Sequence, residues 1–165
     1  TEKSMNTIRT GIGIDMHRLQ KGETLILGGL EIPSQYGLLG HSDGDVLIHS
    51  IIDGLLGAAN LGDIGRHFPS NNPEYKGVSS EKLLEISLDR LVVEGWKPVF
   101  VDATIIAEKP LLAEFIPQMT FNIAHAINLT QRDISIKATT ADGLGYIGRG
   151  EGISCQAIVT IQKSE

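Results

Sequence analysis

Cysteine is almost missing from this 165-residue chain. Cys155 stands alone, which excludes an intrachain disulfide and any multi-cysteine zinc site. No run approaches the eighteen or so consecutive apolar residues that a membrane helix needs, so no membrane partner is expected. The first residues, Thr1 to Thr7, lack the apolar core of a signal peptide. Residues 1–6 read as a disordered tail or an expression remnant, with Met5 as a natural start. The expected compartment is the cytoplasm, or the plastid stroma after loss of a transit peptide. Positive charge is also short: 14 Lys+Arg against 20 Asp+Glu leave a net charge of −6. With a pI near 5.3, that balance argues against a nucleic-acid partner held by bulk charge. No composition break, repeat or low-complexity run divides the chain, so residues 7–165 read as a single catalytic domain. An apolar share of 41% with 21% charged residues is globular. At this length about two-thirds of the unfolded surface can be buried, without staples.

The periodicities predict an α+β domain. Ile8, Ile12 and Ile14 share one parity, as in a strand. Leu25 to Leu27 and Leu30 to Ile32 flank Gly28-Gly29, a two-residue hairpin signal. Ser42, with Asp45 three residues on, resembles a capping box and predicts a helix from Asp43 to about Asn60. A second helix is expected over Ser80 to Glu94, stopped by Gly95, and a third over Leu112 to Asn128 with Pro117 in its first turn. Strands are expected at Val99 to Ala107, Ile134 to Ala138 and Ile153 to Ile161. The last should put Ile153, Cys155, Ala157, Val159 and Ile161 on one face. Pro69 to Gly77 reads as a loop. These elements make a two-layer domain: a mixed four-stranded sheet, helices on one face and a small hairpin. Isoleucines point to both sheet faces, so the uncovered face calls for other subunits.

Four constellations could do chemistry. In Asp15-Met16-His17 a carboxylate and an imidazole lie two residues apart, hence on one face of a continuing strand. Asp45, His49 and Asp53 fall on one helical stripe. They fit a solvated helix surface, or a histidine that binds metal while a neighbouring carboxylate fixes its tautomer. Asp15, His17 and His49 together have the ligand count of a catalytic zinc site with an open fourth position. His41 and Ser42 sit at the mouth of the same helix, where free N–H groups attract anions. Glycines flank Asp63 in Leu61-Gly62-Asp63-Ile64-Gly65, which suits a polyol contact or a plain helix-terminating turn. Finally, Thr139 and Thr140 offer two hydroxyls at a strand end, and Asp142 is a hard oxygen ligand of magnesium type. Cys155, on an apolar strand face, reads as a small core residue.

Five segments, in this order, carry a resemblance. They are Gly13 to His17, Gly40 to His49, Gly62 to Gly65, Lys137 to Thr140 and Gly148 to Ile153. The chain from Ile8 to Ile161 resembles the 2-C-methyl-D-erythritol 2,4-cyclodiphosphate synthase family of non-mevalonate isoprenoid precursor synthesis. The resemblance implies a phosphorus–oxygen lyase, assembled as a homotrimer with its sheets facing the threefold axis and its active sites between subunits. The implied substrate is 4-diphosphocytidyl-2-C-methyl-D-erythritol 2-phosphate, cyclised with release of CMP. It implies one Zn2+ per subunit on Asp15, His17 and His49, and Mg2+ or Mn2+ with the diphosphate, Asp142 being the candidate ligand. His41 and Thr140 match the transition-state-stabilising positions, and His41-Ser42 the diphosphate contact. Asp15, Met16 and His17 also match substrate-facing positions. Asp63, Ile64 and Gly65 match the erythritol contact, and Phe68, Pro69, Ser70, Asn71 and Asn72 the loop beside it. Ala107, Glu108, Lys109, Pro110, Leu111, Leu112 and Ala113 match the cytidine pocket, faced by Thr139, Thr140, Ala141 and Asp142. Tyr146 and Arg149 match further contacts. Arg149 and Glu151 match an axial cavity able to take an isoprenoid diphosphate.

Three positions depart from the common pattern. Asp142 stands in place of glutamate, Leu111 in place of lysine (with Lys109 near enough to substitute), and Ser70 in place of an acidic residue. Two other readings fit the residues: a zinc-dependent phosphodiesterase or phosphatase, and a non-catalytic trimeric module for a small ligand.

Overall fold

The computed structural model of the protein describes residues 7–164, so the reading of residues 1–6 as a tail lies outside the described residues. Among the described residues seven strands and five α-helices follow in order: β1 (Ile8–Lys21), β2 (Leu25–Leu27), β3 (Leu30–Ile32), β4 (Tyr36–Leu38), α1 (Val46–Ala58), α2 (Ile64–His67), α3 (Ser80–Val93), β5 (Trp96–Ile106), α4 (Ile116–Ala126), β6 (Ile134–Thr139), α5 (Gly145–Gly148) and β7 (Gly152–Lys163). The main sheet runs β4-β1-β7-β5-β6, with β2 and β3 in a separate hairpin. Only β5 and β6 pair in parallel, which makes the sheet mixed. It has five strands, not four. The added strand, β4, pairs Leu38 with Leu19 at the far end of β1, and three residues containing a glycine are too short to show alternation.

The closing strand behaves as its parity demands: Ile153, Cys155, Ala157, Val159 and Ile161 are all buried against the helices. The isoleucines of β1 point the other way. Ile8, Ile12 and Ile14 stay 60%, 61% and 49% exposed on the open face, joined by Met16, Phe100 and Ile158. On the inner face β1 presents Gly11 and Gly13, because α1 packs backbone to backbone there. A Cβ built on Gly13 would lie 1.7 Å from the Ser50 carbonyl oxygen, and one on Gly11 2.0 Å from that of Gly54. Glycine is the only residue that lets helix and strand come so close.

The second helix starts at Ser80 as expected, but the starts of the first and third differ from the sequence reading. Gly44 takes φ +72°, outside helical space, so α1 begins at Val46, not Asp43. Its N-cap is Asp45, whose Oδ1 accepts from Ile48 N–H, and Ser42 is left free for another partner. Asp45 Oδ1 and Oδ2 also accept from Gly28 and Gly29, which locks the hairpin turn to the helix. Full burial pushes this carboxyl up to about 6 against those three donors. α3 ends at Val93, with Gly95 at φ +75° as the stop. The third helix is shorter than its apolar pattern: a 3-10 turn over Ala113–Phe115 leads into α4, which stops before Asn128 at φ +56°. Another 3-10 turn, Pro73–Tyr75, interrupts the loop after Pro69.

Candidate active site

Strand β1 runs well past Ile14, so Asp15 and His17 do project from one face of it. The close approach at Gly13 then brings His49, on the second turn of α1, up to both. Asp15 Oδ2 lies 3.0 Å from His17 Nε2 and 3.1 Å from His49 Nδ1. All three ligand atoms fall within 4.8 Å of one another, and the two rings meet edge to face at 5.6 Å. Ligand atoms at about 2.0–2.2 Å from a tetrahedral zinc sit roughly 3.3–3.6 Å apart, so this triad fits such an ion with small adjustments.

The electrostatics favour a cation at the same point. Burial alone would raise the Asp15 carboxyl, but hydrogen bonds with His17 and His49 and their charge override it, holding Asp15 at about 2. The same hydrogen bond raises His17 above its ordinary value, against partial burial. An ion at this point would meet the carboxylate oxygen and one lone pair from each ring.

The far side of His49 is also built. Its Nε2 lies 2.8 Å from Ser80 Oγ and 3.1 Å from Ser42 Oγ. Ser80 donates both its hydroxyl and its backbone N–H to the Asp43 carboxylate. The carboxylates on the helical stripe do other work: Asp45 caps the helix, and Asp53 accepts from Ile64 N–H at 2.7 Å. Asp53 thereby anchors the segment carrying Asp63, Ile64 and Gly65. Asp63 opens α2 as its N-cap, where the sequence suggested a helix-terminating turn. Phe68 seals that segment against Tyr75 and the Arg90 guanidinium.

The other sequence-predicted residues gather at the loop after β5 and the turn after β6. Glu108 Oε1 accepts from Ala141 N–H at 2.7 Å and Gly143 N–H at 3.3 Å, clasping the Ala107–Ala113 loop to the Thr139–Asp142 turn. Asp142 holds φ +54° and its N–H donates to Thr140 Oγ1, so the Thr140 hydroxyl and the exposed Asp142 carboxylate share one tight turn. Leu111 is 83% exposed. A 560 Å³ cavity joins Glu108 and Lys109 to Tyr36 and Arg149. A second, of 280 Å³, lies between Met16, His17, Tyr146 and Glu151, with Tyr146 donating to Met16 Sδ at 3.5 Å. Arg149 and Glu151 pair with each other in the open. The sequence reading assigned Ser80 and Asp43 no role in the site and named Glu108 only as a cytidine-pocket residue, not as the clasp between loop and turn. Glu108 had a signal only as part of its loop, and Ser80 only as a helix-start serine.

A strand that presents Asp15 and His17 and a helix that brings His49 up to them form a two-histidine, one-carboxylate cluster of the kind that holds a metal ion in an enzyme site. The YgbB family profile matches residues 8–162, and the chain belongs to that family. It is 53% identical over 156 residues to the 2-C-methyl-D-erythritol 2,4-cyclodiphosphate synthase of Desulforamulus reducens, covering 94% of this chain and 99% of the relative. To that of Chlorobaculum parvum it is 51% identical, over 94% and 99% of the two chains. Among solved structures, the bifunctional IspDF from Campylobacter jejuni superposes with a TM-score of 0.93 at 38% identity, over 98% of this chain and 44% of that one. The Plasmodium falciparum IspF CDP complex gives 0.84 at 33% identity, over 98% and 100%. With this membership goes the activity of a CMP-releasing phosphorus–oxygen lyase in non-mevalonate isoprenoid precursor synthesis.

Proposed function

We propose that residues 7–165 form a single catalytic domain that closes 4-diphosphocytidyl-2-C-methyl-D-erythritol 2-phosphate into 2-C-methyl-D-erythritol 2,4-cyclodiphosphate at sites shared between the subunits of a homotrimer. The observation that carries this reading is the Asp15–His17–His49 triad, whose ligand atoms all lie within 4.8 Å of one another. In the reaction an oxygen of the 2-phosphate bonds to the β-phosphorus, and the bond from that phosphorus to the bridging oxygen breaks. CMP leaves with the electron pair.

Asp15, His17 and His49 would hold zinc, and Asp142 magnesium or manganese. When bound, these ions supply neutralisation of the phosphoryl charge and polarisation of the β-phosphate. His41 and Ser42, in the loop before α1, orient the diphosphate. Thr140 donates its hydroxyl to the oxygen on which charge grows. Asp63 to Gly65 bind the erythritol hydroxyls, and Phe68 to Asn72 close over them. Ala107 to Ala113 receive the cytidine, in keeping with the CDP named in related structures. Lys109, on the wall of the larger cavity, serves in place of the lysine missing at Leu111. Clamping both ends of the chain supplies most of the orientation term.

Assembly follows from the open sheet face. Ile8, Ile12, Ile14, Met16, Phe100 and Ile158 form an apolar surface that three subunits bury around an axis, with Arg149 and Glu151 lining a cavity for an isoprenoid diphosphate. No described helix is long and apolar enough to cross a membrane, and a cytoplasmic setting is consistent with the bacterial relatives. Mixing two inactive variants tests the shared site. His49→Ala lacks the metal side and Thr140→Ala the turn side. Reassembled together they should regain up to about a quarter of wild-type activity, because some interfaces then hold two intact halves. No recovery, with trimers reformed, would contradict it.

A further inference from the structure

We infer that Ser80, backed by Asp43, is a positioning residue that fixes the tautomer of His49 and so sets the affinity of the metal site. The inference rests on the metal-binding reading above. Proton bookkeeping around Ser80 carries it. Ser80 has one hydroxyl proton, and Asp43 Oδ1 takes it, since a carboxylate oxygen can only accept. Ser80 N–H, at 2.9 Å from Asp43 Oδ2, holds the carboxylate in place. With its proton committed, Ser80 Oγ can only accept from His49 Nε2, 2.8 Å away. Ser80 therefore holds a proton on His49 Nε2, which leaves the Nδ1 lone pair for an ion seated between the ring and Asp15; without the ion, Asp15 Oδ2 at 3.1 Å competes by favouring a proton on Nδ1.

Ser80 lies at the start of α3 and is fully buried. Without its hydroxyl, the ring has a competing arrangement at hand. Nδ1–H can donate to Asp15 Oδ2 at 3.1 Å, while Nε2 accepts from the Ser42 hydroxyl at 3.1 Å. That tautomer uses up the nitrogen that would bind the ion. The relay thus runs from one loop carboxylate, through a serine of a different helix, to a ligand on α1. Neither carboxylate on the helical stripe of His49 takes part.

The test compares Ser80→Ala with Ser87→Ala, a buried serine of the same helix whose hydroxyl donates to Leu83 O. Zinc affinity is read by chelator competition on the trimeric protein. The metal-free tautomer of His49 is read from its imidazole 15N shifts at alkaline pH. Ser80→Ala should bind zinc about tenfold more weakly or worse, with His49 shifting its proton toward Nδ1, while Ser87→Ala keeps wild-type affinity. A zinc Kd within twofold of wild type in Ser80→Ala would overturn the inference. So would equal losses in both variants, which would mark general loosening of α3. Wild-type protein that binds no zinc would instead refute the metal site itself.

Discussion

Replacing Gly13 by alanine should dismantle the metal site without touching any ligand. The new methyl group would lie 1.7 Å from the Ser50 carbonyl oxygen, 2.7 Å from its carbon and 2.9 Å from Gly54 N. All three are backbone atoms of α1, so no side chain can swing aside. Reaching ordinary contact requires the helix to retreat by about 1.5 Å or more. His49 directly precedes Ser50, and Asp15 lies two residues from Gly13, so the strain falls on the 3.1 Å separation between them. Widening it by that amount takes it well past the roughly 3.3–3.6 Å that a shared tetrahedral ion allows. Overpacking of this kind costs about 1–3 kcal/mol or more in stability, and a 1 Å misplacement can cost about a hundredfold in rate. The assay pairs zinc stoichiometry by metal analysis with urea unfolding of the metal-free protein. Gly57→Ala is the control, since a Cβ there meets nothing within 4 Å. Full zinc content and wild-type stability in Gly13→Ala would refute the claim that backbone contact builds the site.

Three further outcomes follow from individual residues. Asp45→Ala removes an N-cap and leaves the buried Gly28 and Ile48 amides and the half-buried Gly29 amide without their acceptor, and should cost about 3 kcal/mol in urea unfolding; a loss under about 1 kcal/mol would count against that role. Asp15, held at about 2 against an ordinary 3.8, stabilises the metal-free fold fully above pH 3.8, and that contribution is lost as pH falls toward 2. Asp15→Asn should flatten this part of the stability–pH curve, and an unchanged acid limb would contradict it. Asp142→Ala should lower turnover tenfold or more with zinc content unchanged, and Asp142→Glu should keep activity; wild-type turnover and magnesium dependence in Asp142→Ala would leave the residue only a turn former.

What could be read from the sequence was whatever repeats or pairs locally. The alternation of β7, the Gly28-Gly29 turn and the Gly95 stop each rest on neighbouring residues, and each is where expected. The triad was legible because Asp15 and His17 share a strand face and the family resemblance singled out His49, which spacing alone fitted equally to a solvated helix surface. Gly44 hid the true helix start, since a serine three residues before an aspartate mimics a cap whatever the backbone does between them. The inward glycines of β1 carried no hydrophobic signal, so its isoleucines could not be assigned to the open face from parity alone. Ser80, 31 residues from His49, and Glu108, 33 from Ala141, act across the tertiary fold, which no local spacing encodes.

The most direct test of the account is to supply 4-diphosphocytidyl-2-C-methyl-D-erythritol 2-phosphate with zinc and magnesium and follow CMP release alongside phosphorus NMR. Ring closure at the Asp15–His17–His49 site predicts one CMP per cyclic diphosphate formed, and loss of both products in His49→Ala. A linear phosphate product, or CMP release undiminished in zinc-free His49→Ala, would contradict it.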